Sequence, residues 1–73
     1  MIKPFQMYSV GSEQRQTLNI FDVHGRMLVN YKSHAGTVVG ELAYVDGGVP
    51  VHTCLAKDFA QWLAGEGAEL QTA

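Results

Sequence analysis

Residues 16–33, QTLNIFDVHGRMLVNYKS, decide the fold, because apolar residues recur there with a period close to two on both sides of a turn signal. In QTLNIFDV (16–23), Leu18 and Ile20 fall on one face and Phe21 and Val23 on the other, the pattern of a strand covered on both sides for part of its length. His24-Gly25-Arg26 breaks the pattern, and Gly25 can take the positive φ of a tight hairpin. In MLVNYKS (27–33), Met27, Val29 and Tyr31 share a face opposite Leu28, Asn30 and Lys32. The stretch therefore reads as an antiparallel hairpin.

Working outward, Ser33-His34-Ala35-Gly36 reads as a second turn and TVVGELAYV (37–45) as a third strand. Gly40 inside that run predicts a bulge, a kink or a close backbone approach. Asp46-Gly47-Gly48 follows, and Asp-Gly suits a type I′ turn. VPVHTCL (49–55) is the fourth strand; Pro50 has no N–H to donate, which predicts an edge position or a nitrogen facing outward. The period then lengthens to about 3.6 in LAKDFAQWLAGEG (55–67), where Leu55, Phe59, Trp62 and Leu63 share a helical face. Thr53 or a neighbour is the candidate cap, and Gly65 is placed to stop the helix in the left-handed conformation.

The expected fold class is α+β: a four-stranded antiparallel sheet followed by one C-terminal helix packed on it, with an extended or flexible N-terminal arm. The expected divisions are an arm over 1–15, a ββββα domain over 16–65 and a flexible tail, EGAELQTA, over 66–73.

The chain has 73 residues, enough for one domain with a small core. Its charged fraction is 16%, below the roughly 25% of typical soluble domains, while an apolar fraction of 47% argues against disorder of the whole chain. Net charge is −2, opposite to the basic footprint that phosphate contacts require, so sequence-specific nucleic-acid binding is not expected. A single cysteine, Cys54, forms no internal bridge and fits a reducing cytoplasm. No apolar run reaches the length of a membrane span, and the N-terminus lacks a signal-peptide core.

Candidate chemistry is sparse. His52 and Cys54 share a strand face and are types that zinc accepts, yet further nitrogen donors are only His24 and His34 in turns, so no metal site or cofactor is expected. Cys54 has no base within reach along its own strand and reads as a small buried apolar residue, so no catalytic residue is assigned. Asp22 near His24 reads as a turn residue closing the hairpin. Gly47-Gly48 lacks the lysine and following helix of a phosphate loop. Phe21, Tyr31 and Tyr44 are the residues from which an aromatic platform for single-stranded nucleic acid would be built. Phe59 and Trp62 read as core.

The opening MIKPFQMYSV (1–10) is apolar, yet it precedes the polar breaker GSEQRQ (11–16) and the predicted domain. Pro4 holds Lys3 extended. The segment is either a further strand pairing with a sheet edge or a mobile arm that presents Ile2, Phe5, Met7, Tyr8 and Val10 as anchors, with Lys3 and Arg15 meeting acidic partner surface.

With this opening, its length and its strand-then-helix order, the chain resembles small bacteriophage-encoded regulators that bind host RNA polymerase, inhibit host promoter initiation and cause antitermination. The resemblance covers the chain as a whole and rests on no diagnostic motif. It implies a non-enzymatic monomer in the cytoplasm of an infected bacterium. It also implies binding at the N-terminal part of the largest polymerase subunit, near the flap and the RNA exit channel. Other phage inhibitors such as an anti-CRISPR, a small antitoxin and a single-stranded nucleic-acid module are the alternative readings.

Overall fold

The computed structural model describes residues 2–38 and 40–65 and the backbone of 68–71. It is a small α+β fold. Strands β1 (Met7–Val10), β2 (Glu13–Val23), β3 (Arg26–Ala35), β4 (Glu41–Asp46) and β5 (Val49–Leu55) precede helix α1 (Ala56–Leu63), and a short β6 (Ala68–Gln71) follows it. All pair antiparallel in one sheet of order β4-β5-β3-β2-β1-β6. The expected four strands are thus five before the helix, with one more after it.

The added strand before the helix comes from the opening segment, which the sequence left as either a further strand or an arm and which pairs as a strand. Met7 pairs with Gln16, Tyr8 with Arg15 and Val10 with Glu13, so 1–15 is not a separate arm and the sheet begins well before residue 16. Gly11-Ser12, which resembles a hinge in the sequence, is a two-residue hairpin turn with Gly11 at φ 59°, the first-position glycine of a type II′ turn. In the expected C-terminal tail, Ala68–Gln71 pairs with the outer side of β1, while residues 66, 67, 72 and 73 lie outside the described residues.

Three turn assignments also move. Ser33-His34-Ala35 belongs to β3, which runs to Ala35, and the next strand starts only at Glu41. Gly40 stands at φ 137° against the Thr53 carbonyl and the Tyr31 hydroxyl, where a Cβ has no room, so the close approach anticipated for this glycine is found just ahead of β4. Asp46 pairs with Val49, which makes Gly47-Gly48 the loop of that hairpin. Asp22 lies inside β2 opposite Met27, and Val23 with Arg26 closes its hairpin instead.

Strand β5 is not an edge, since it lies between β4 and β3. Its Pro50 end extends past β3, whose pairing covers only His52 to Leu55, and Pro50 faces Val45 alone. The missing N–H therefore costs no central ladder bond. Helix α1 begins after Leu55 without a side-chain cap, so Thr53 does not serve. It ends through Ala64 in a right-handed conformation, with the Gly65 N–H donating to the Trp62 carbonyl at 3.1 Å, and Gly65 does not take a positive φ.

The helix covers one face of the sheet. Tyr8, Val29, Tyr31 and Phe59 form the buried cluster, with Ile2, Ile20, Cys54, Trp62 and Leu63 packed around it. Phe59 meets Tyr8, Tyr31 and Trp62 edge-on at centroid separations of 5.7, 5.6 and 5.2 Å, an arrangement that favours ring quadrupoles. Beneath the helix lies Arg15, only 2% exposed, its guanidinium 4.1 Å from the Trp62 ring centroid and 5.4 Å from that of Tyr31. Glu13 joins the two: one carboxylate oxygen accepts from the Trp62 indole N–H at 2.9 Å and stands 3.6 Å from the Arg15 guanidinium. Arg15 also donates to the Thr37 carbonyl at 3.3 Å.

This cluster yields a test of opposite expectations. Glu13→Ala leaves a buried cation and an indole N–H unpaired; because Glu13 is 29% exposed, the expected loss is about 2–3 kcal/mol, below that of a fully buried pair. Arg15→Met removes the charge along with its need for a partner and is expected to cost about 1 kcal/mol or less. Urea denaturation followed by Trp62 fluorescence measures both.

Candidate functional site

Among the described residues, chemistry-bearing side chains do not gather into a metal-holding group. His52 and Cys54 face the helix side, cross-strand from Tyr31 and Val29. His34 instead pairs with the Gln16 amide oxygen at 3.0 Å, and His24 sits in the β2–β3 turn at φ 52°. Among the described residues, no group of three His, Cys, Asp or Glu side chains is placed to hold a metal. Burial pushes the Cys54 thiol above its ordinary value of 9.0; the Arg15 charge opposes the shift, Asp58 adds to it and the Phe59 backbone N–H opposes it. The net direction is that of a protected thiol. No aromatic platform forms, because Tyr31 is buried on the helix face while Phe21 and Tyr44 lie on the other.

Exposed apolar residues on the β4–β5 hairpin are divided. Leu42 and Val45 pair with His52 and Pro50 on the helix side, whereas Tyr44 and Val49 belong to the opposite side. The hairpin therefore presents no single continuous apolar face.

A different arrangement is found at the N-terminal turn. Pro4 occupies the second position of the Lys3–Gln6 turn and Phe5 the third, with Phe5 at φ 57° and 66% exposed. A positive φ in a residue with a bulky side chain costs about 1–2 kcal/mol, so the surroundings must impose it. They do so through two hydroxyls. The Thr17 hydroxyl accepts from the Gln6 N–H at 3.0 Å and donates to the Lys3 carbonyl at 2.6 Å, standing in for the direct bond that would normally close such a turn. The Thr17 N–H donates to the Gln6 carbonyl at 2.8 Å, and the Lys3 N–H donates to the Tyr8 hydroxyl at 2.7 Å. Ile2 packs beside the core ahead of the turn. An aromatic ring is thus held out from the surface by a backbone anchored on both sides.

The expected anchors separate accordingly. Phe5 and Lys3 are exposed, and Ile2, Met7 and Val10 are half-buried. Tyr8 and Arg15 are corrections, since both are buried: Tyr8 packs on Phe59 and Arg15 lies against Trp62. A cation so enclosed does not meet a partner's surface. Thr17, which positions the turn, carries no sequence signal of that role, because a threonine in a strand is ordinary.

Among the described residues no helix is long and apolar enough to cross a membrane.

Thr17→Val keeps the shape and deletes the hydroxyl. It is expected to cost about 1–3 kcal/mol and to speed hydrogen exchange of the Gln6 amide ahead of the sheet amides, which NMR measures residue by residue. For Cys54, the unfolded chain ionises first as pH rises, so the thiol's contribution to stability is complete below the unfolded pKa and lost as pH climbs through the folded one. Urea midpoints taken across the alkaline range should fall in the wild type, and Cys54→Ala should remove that part of the fall. Comparisons with family models, curated proteins and solved structures find no match to this chain.

Proposed function

We propose that this chain is a small non-enzymatic binding protein, a bacteriophage regulator that engages host RNA polymerase and uses the Phe5 turn as its principal contact. The observation that carries the binding reading is Phe5 itself: an exposed aromatic ring on a strained backbone that two buried hydroxyls hold in place. Strained, over-determined backbone is enriched where a molecule makes functional contacts, and a rigid aromatic loses little entropy on docking. Lys3 lies beside it and meets acidic surface. Arg15 and Tyr8 contribute by holding the platform.

The polymerase, its largest subunit near the flap and the RNA exit channel, and a cytoplasmic site of action in the infected host are proposed from the resemblance of the chain to small phage regulators. Such a protein acts by coupling, binding one state of the enzyme more tightly than another and so opposing initiation while favouring read-through.

Phe5→Gly separates binding from folding. Glycine relieves the positive φ at a site that contributes little to the core, so stability is expected to hold or rise by up to about 1 kcal/mol. In pull-downs from bacterial lysate, wild-type protein is expected to recover polymerase subunits and the variant to lose them. Polymerase retained by the variant removes Phe5 from the interface, and polymerase absent from both removes the proposed partner.

A further inference from the structure

The chain carries five lysines and arginines, and two are engaged away from any partner. Arg15 is buried with Glu13, and Lys32 meets Asp46 at 3.3 Å on the sheet face opposite the helix. The other three, Lys3, Arg26 and Lys57, are exposed and form no ion pair among the described residues. Two of these, Arg26 and Lys57, line adjoining hollows. A hollow of about 400 Å³ is lined by Ile2, Ile20, Met27, Ala56, Lys57 and Ala60. A second, of about 260 Å³, shares Met27 and Lys57 and adds Arg26 and Leu55. The two adjoin through Met27 and Lys57 and together form a groove beside Ile2, the β2–β3 hairpin and the start of α1, apolar apart from Arg26 and Lys57.

We propose that this groove docks an acidic amphipathic peptide segment of a protein partner. A bulky apolar side chain seats on Ile20, Met27 and Ala60, and flanking Asp or Glu residues meet Arg26 and Lys57. The charge pattern selects this occupant, because a chain of net charge −2 places two of its three unpaired cations, Arg26 and Lys57, at the groove. Asp22 and Asp58, the acidic residues of the adjoining elements, are exposed and line neither hollow. Met27 is 48% exposed, and its flexible thioether adapts to different apolar side chains. The inference extends beyond the Phe5 contact and stands whichever protein supplies the segment.

The test uses the full chain against an array of short peptides with Leu, Ile, Phe or Met at the centre and acidic, neutral or basic flanks, followed by fluorescence anisotropy on the strongest binders. Acidic flanks are expected to bind about tenfold more tightly than basic ones, with affinity falling as salt rises. Lys57→Glu and Arg26→Glu are exposed changes expected to weaken acidic peptides several-fold each, and Met27→Asp to abolish binding while Trp62 fluorescence reports an intact fold. Phe5→Gly should leave peptide binding unchanged, which keeps this test separate from the polymerase pull-down. No peptide bound up to about millimolar concentration, or binding indifferent to flank charge, overturns the proposal. So does binding of decanoate or anionic vesicles that Lys57→Glu abolishes while no peptide binds.

Discussion

A single buried cation organises this molecule. Arg15 projects from β2 into the space beneath α1, where the faces of Trp62 and Tyr31 and the carboxylate of Glu13 surround it. A charge placed there is tolerable only while its partners remain, which ties three parts of the chain to one another. The helix is held through Trp62, the start of β2 through Glu13, and the segment after β3 through the Thr37 carbonyl. In a domain of this size the apolar core contributes little net stability, so a directional cluster of this kind carries much of the specification of how the helix lies.

The same arrangement explains why the first residues are part of the fold. Tyr8 pairs with Arg15 across the β1–β2 ladder and packs its ring edge-on to Phe59, so β1 completes the wall of the pocket that holds the cation. With Tyr8 seated, its hydroxyl receives the Lys3 N–H, and Thr17 on β2 receives the rest of the turn. The exposed Phe5 is therefore the outer end of a chain of contacts that begins in the core. Strain at Phe5 is maintained because Tyr8 and Thr17 cannot shift without disturbing Arg15 and Tyr31.

Charge is partitioned in a way that serves both interior and surface. One cation is consumed inside, another braces the sheet face opposite the helix, and two more, Arg26 and Lys57, line an apolar groove that Ile2 also borders. Phe5 and that groove belong to the same end of the molecule through Ile2.

The period-two runs and the switch to a helical period determined by themselves that the chain is antiparallel strands followed by a helix, and the β2–β3 hairpin at His24-Gly25 was legible because the turn chemistry is local. Phe59 and Trp62 as core also follow from the helical spacing, whereas the exposure of Phe5 is a finding of the structure. Only the tertiary structure decided that MYSV is a strand, because the partner that recruits it, Gln14 to Gln16, is polar and shows no strand periodicity. It alone placed β5 inside the sheet, since Pro50 allows either an edge strand or an outward nitrogen, and only the register shows that β3 pairs with His52 to Leu55 and leaves Pro50 beyond it. It alone reversed the role of Arg15. A cation beside a polar breaker reads as solvated, and its burial depends on Trp62 and Tyr31, distant in the chain, meeting around it beside its strand neighbour Glu13, which no local pattern encodes.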